Sequence, residues 1–82
     1  MINDMAFSCF AQATEGDFTV GQEKLNTAAK ILAHNLVYSR VQPDIMAMSY
    51  VCQTQGFNYN DLLSEEISYL KNRIKEEIKQ LC

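Results

Sequence analysis

Tryptophan is absent from this sequence, proline and histidine occur once each, and glycine three times in 82 residues. So few turn formers argue against an all-β sandwich or barrel. No apolar run approaches the roughly 18 residues of a membrane span. Met1-Ile2-Asn3-Asp4 has neither the basic start nor the apolar stretch of a signal peptide, so none is expected. Basic excess is missing too. Ten acids against seven bases give a formal net charge of -3, which disfavours general nucleic-acid binding. The three cysteines, Cys9, Cys52 and Cys82, are odd in number and form no Cys-x-x-Cys pair. A secreted disulfide scaffold is denser and even in count, so reduced thiols in a cytoplasmic protein are expected.

What is present is ordinary globular material, 48% apolar and 21% charged, which argues against disorder. At this length the chain is one helical domain, because neither half would bury a useful core. Gly16, Gly21, Pro43 and Gly56 divide it into four segments. The first, residues 4–13, starts from an Asn3 or Asp4 cap. It is nearly all apolar, with Met5, Phe7, Cys9 and Phe10, so it must be buried or must cover something. The second, residues 20–39, opens on a Thr19/Gln22 capping-box pattern and carries the stripe Leu25, Ala28, Ala29, Leu32 and Leu36. The third, residues 43–55, has Pro43 in its first turn and Gly56 just past its end. Its apolar side chains point in nearly every direction, which marks a central helix or an interface helix.

The fourth segment, from residue 59 to the C-terminus, is a long amphipathic helix. Its stripe is Leu63, Ile67, Leu70, Ile74, Ile78 and Leu81, and Asn58 can cap it. Acids lead and bases follow, in the order the helix dipole favours. Arg73 can reach Glu76 and Glu77 one turn on. At about 24 residues it would span about 36 Å and overhang its shorter neighbours. The expected fold is therefore all-α, three to four helices in a small bundle. A core this small barely offsets the entropy of ordering the chain, so a homodimer or obligate complex is expected.

Catalytic chemistry finds little support. His34 is the only imidazole and sits mid-helix, and nothing beyond chance pairs it with Cys9 or Cys52. Four Cys and His residues scattered at 9, 34, 52 and 82 lack zinc-site spacing. Glu65-Glu66 and Glu76-Glu77 fit solvated faces better than a carboxylate metal site. No cofactor loop is present, because Gly16 and Gly21 flank Asp17, which would repel a phosphate. The short Arg40-Val41-Gln42 link suggests a helix-turn-helix regulator. The would-be recognition helix, however, contains no Lys or Arg and begins with Asp44. Lys71, Lys75 and Lys79 form a single-face ridge, best read as solvated.

The positive signal is apolar surface in excess of what so small a fold can bury. Met46, Met48 and Tyr50 in the third segment, and Leu70, Ile74, Ile78 and Leu81 in the fourth, are the expected partner-binding residues. The leading expectation is a non-enzymatic regulatory module that binds a protein partner, and a nucleic-acid-binding regulator is the alternative. In size, acidic balance, free cysteines and Ile/Lys/Glu/Asn-rich final helix, the chain resembles the small cytoplasmic accessory proteins of tailed phages. The lysis-inhibition accessory proteins of T-even phages share its size class. That resemblance implies binding to the cytosolic part of a phage holin and delayed lysis.

Overall fold

The computed structural model describes residues 20–82, and among these every regular element is helical. The expected helix over residues 4–13, Cys9 and Thr19 lie outside the described residues, and the expected Thr19/Gln22 capping box is not what opens the next helix: Gly21 is its N-cap and Gln22 its first residue, with no side-chain cap. Three α-helices follow in order: α1 (Gln22–Tyr38), α2 (Ile45–Thr54) and α3 (Ser64–Leu81). A 3₁₀ turn, Tyr59–Asp61, stands between α2 and α3. The expected all-α bundle with a long C-terminal amphipathic helix is what forms. Among the described residues no helix is both long and apolar enough to cross a membrane.

Helix α1 forms on the predicted stripe. Leu25, Ala28, Ala29 and Leu32 are buried, Ala33 joins them, and Leu36 is half-buried against the core. The small alanines let a second helix approach closely, and α1 packs chiefly on α3. Leu70 and Ile74 supply the facing side chains of α3, with Ile67 and Ile78 half-buried on either side. Gln22 Nε2 donates to the Tyr69 hydroxyl at 2.9 Å, and that hydroxyl donates to Asn26 Oδ1 at 2.8 Å. This polar clasp fixes the first turns of α1 against α3.

Helix α2 is short because both its ends are set by local chemistry. Asp44 is the N-cap, and its Oδ1 accepts from Ala47 N–H at 2.7 Å. Pro43 therefore precedes the cap rather than opening the helix. At the other end Gly56 adopts φ 87°. Gly56 N–H donates to Gln53 O and Phe57 N–H to Cys52 O, the paired bonds of a Schellman stop. Helix α2 packs on α1 and on the 3₁₀ turn, burying Met48, Val51 and Cys52.

Two expectations about the last segment need correction. Its helix does not start at Tyr59. Asn58 Oδ1 accepts from Asn60 N–H, capping only the 3₁₀ turn, and Leu62 and Leu63 are extended before α3 begins. Eighteen residues span about 27 Å against about 26 Å for the seventeen of α1, so the two match and no long overhang results. The second correction concerns the carboxylates. Glu65 is exposed, but Glu66 is 0% exposed and Glu77 is buried beside Arg73. Glu66 Oε1 accepts from Leu63 N–H at 2.7 Å, and Oε2 accepts from Val20 N–H at 3.1 Å. Leu63 has no side-chain acceptor, so Glu66 provides only the returning half of a capping box. Its other oxygen ties down the segment entering α1. A charge-assisted pair of backbone donors explains why this carboxylate leaves water.

Candidate functional site

The stretch from the end of α1 through α2 carries most of the apolar surface left uncovered. Ser39 is the C-cap of α1, and Arg40 then adopts φ 54°, turning the chain out of the helix. The six residues 39–44 lead to α2, longer than the three or four of a tight helix-turn-helix corner. They leave Val41 and Pro43 exposed beside the end of α1.

Helix α2 then splits its apolar residues between two faces. Met48, Val51 and Cys52 point to the core, while Met46 and Tyr50, one turn apart, are 82% and 70% exposed. Ile45 at the start is 65% exposed. Between α1 and α2 lies a groove of about 370 Å³ lined by Leu32, Leu36, Val41, Pro43, Met46, Ala47, Tyr50 and Val51, with Asn35 and Gln42 as polar members. No described residue lining it is charged. A second hollow of about 410 Å³ shares Pro43 and Met46 with the groove and adds Asp44, Ile45, Met48, Tyr59 and Lys71. The two hollows meet at Pro43 and Met46, and the second carries one charge of each sign, Asp44 and Lys71, in its lining.

Comparison of the chain with protein-family models, curated proteins and solved structures returned no match.

The seven expected partner-binding residues divide by burial. Met46 and Tyr50 stand in the exposed groove, and Leu81 is 37% exposed at the end of α3. Met48, Leu70 and Ile74 are in the chain's own interior, and Ile78 packs against it, so these four are spent on the fold. Sequence reasoning missed Val41, Pro43 and Leu36. A half-buried stripe end followed by Val and Pro in a linker was the available signal.

The remaining reactive groups are dispersed. Cys52 is fully buried, and desolvation pushes its thiol from 9.0 to about 11, so it is neutral at physiological pH. His34 is exposed on α1 with its ring 4.5 Å from that of Tyr38. Among the described residues no three His, Cys, Asp or Glu side chains form a metal-binding group. Arg73 bridges Glu76 at 2.7 Å and Glu77 at 2.5 Å, as the spacing anticipates.

Proposed function

We propose that this chain is a non-enzymatic regulatory module that docks a partner protein in the α1–α2 groove. The observation that carries the reading is the uncharged groove with Met46 and Tyr50 standing exposed on one helix face. Small soluble folds rarely leave such a contiguous apolar surface open without a binding role. Methionine adapts to irregular partners, and tyrosine offers large contact area with a polar tip. A groove between two helices suits an amphipathic helix, whose anchors recur every three or four residues. A cytoplasmic setting and a homodimer or obligate complex belong to the same proposal. So does lysis control through the cytosolic part of a phage holin, the role implied by the resemblance to small phage accessory proteins.

The test is affinity capture with the full chain and with Met46→Asp/Tyr50→Asp, from nuclease-treated, detergent-solubilised lysate. One stoichiometric protein retained by the native chain and lost with the double variant supports the reading, provided circular dichroism shows both folded. Equal capture by the two chains removes the groove from the mechanism. A holin among the captured proteins would support lysis control. Capture of nucleic acid without nuclease, weakening steeply with salt, would favour the regulator alternative.

A further inference from the structure

We infer that the hollow at the start of α2 is the centre of a two-fold contact with a second copy of this chain, an inference that rests on the homodimer proposed above and gives it a face.

The bundle is open at this point. Helix α2 packs on α1 and on the 3₁₀ turn but not on α3. The space left between its first turn and α3 is the hollow of about 410 Å³. Met48 and Tyr59 are its buried members, and Lys71 is its member from α3. Ile45 and Met46 line it as well and remain largely exposed. A chain this small has little interior to stabilise it, and association is a common remedy.

The charges say what closes the opening. Asp44 and Lys71 are the only charged side chains among the described residues of the lining. Asp44 gives Oδ1 to its cap bond with Ala47 N–H, and Lys71 has no ion-pair partner among the described residues. An acid and a base thus share one hollow without pairing with each other. A two-fold axis running between them sets each Asp44 against Lys71 of the second copy, so both charges are matched twice over. A foreign protein would need a base and an acid of its own in the matching order, whereas a second copy has them by symmetry. The same rotation brings Ile45 and Met46 of both copies into one shared hollow, giving an apolar centre with a charged rim. The flexible thioether of methionine suits such an irregular space.

The contact also bears on the groove. Met46 and Pro43 belong to both the hollow and the groove. A second copy and a groove-bound partner therefore compete for Met46. Association lowers the apparent affinity for the partner by the fraction of chains that remain single.

The experiment is sedimentation equilibrium of the full chain under reducing conditions. The mass is expected to rise with concentration from that of one chain to that of two. Lys71→Glu sets acid against acid at both rims and should weaken association by at least about tenfold. Lys75→Glu makes the same charge change one turn along α3, outside the lining, and should alter association by less than about threefold. Met46→Asp should leave single chains. All three side chains are exposed, so circular dichroism should show each variant folded. A native chain that stays single at its highest soluble concentration would overturn the inference. So would equal effects of Lys71→Glu and Lys75→Glu, or association that Met46→Asp leaves intact. Failure of the docking reading gives a different result, partner capture that Met46→Asp/Tyr50→Asp does not change. With both standing, Lys71→Glu captures more partner than the native chain, because its groove is intact and its second copy is gone.

Discussion

Helices α3 and α2 are both rich in apolar side chains and put them to different use. In α3 these side chains fall on one stripe backed by Glu, Lys and Arg, and the middle of the stripe, Leu70 and Ile74, is sealed against α1. In α2 they surround the axis, and only Met48, Val51 and Cys52 find the core. A helix with a charged back has one way to bury its stripe. A helix without one must leave apolar surface in water unless something covers it. The contrast separates residues that hold the fold from residues free to bind.

The largest effect that would break this contrast is the same substitution made on each helix. Ile74→Asp places a carboxylate in the α1–α3 interior without a partner, and the chain is expected not to fold, as circular dichroism would show. Ile45→Asp, on the exposed start of α2, should shift stability by less than about 0.5 kcal/mol. A folded Ile74→Asp variant would return that residue to the surface. Leu70→Ala, the milder probe, should cost about 2–5 kcal/mol.

The next effect belongs to Glu66. Glu66→Ala strands Val20 N–H and Leu63 N–H without their charged acceptor, at a cost of about 2–3 kcal/mol, read by denaturant unfolding. Glu66→Gln keeps one acceptor oxygen and should lose less. Equal losses would mean that packing, not hydrogen bonding, makes the residue necessary.

Cys52 sharpens the contrast from the core side of α2. Its thiol pKa is raised to about 11 in the folded chain against 9.0 for the ordinary group. The folded state therefore holds the proton longer. The resulting stabilisation is complete below pH 9 and is lost as pH rises through about 11. Stability measured by denaturant unfolding across that window should fall less steeply in Cys52→Ala than in the native chain. Two pKa units also lower the thiolate fraction near neutral pH about 100-fold. Alkylation of Cys52 should thus be at least that much slower than of exposed Cys82, until denaturant equalises them. Fast native alkylation of Cys52 would mean that α2 opens readily.

Much of the bundle is legible in the sequence, because α1 and the middle of α3 obey a single 3.6-residue period. Leu25, Leu32, Leu70 and Ile74 announce themselves by spacing alone. The start of α3 was misjudged because Tyr59–Asp61 can follow either an α-helix or a 3₁₀ turn, and tertiary contact decides. Glu66 was misjudged because the donor it needs, Val20 N–H, is 46 residues away in sequence. Met48 and Met46 are indistinguishable by type, and which one faced the core depended on where α1 lay. The groove was half-legible for that reason. Met46 and Tyr50 stand out by residue type, whereas Leu36, Val41 and Pro43 come together only through the turn at Arg40.

The smallest effects test how that turn and its counterpart hold α2 in place. Helix α2 is bracketed by two residues at positive φ, Arg40 at 54° before it and Gly56 at 87° after it. A Cβ on Gly56 would meet nothing closer than Lys24 Nζ at 4.0 Å, so Gly56→Ala carries a backbone penalty and no clash. It should cost about 1 kcal/mol, about 4–8 °C in thermal midpoint for a domain of this size. Arg40→Gly works in the opposite sense and less strongly. It relieves the left-handed strain of a side chain but loosens the unfolded chain, leaving a gain of a few tenths of a kcal/mol. Denaturant unfolding checks the sign: a loss of stability in Arg40→Gly would mean that the guanidinium does more for the fold than make the turn.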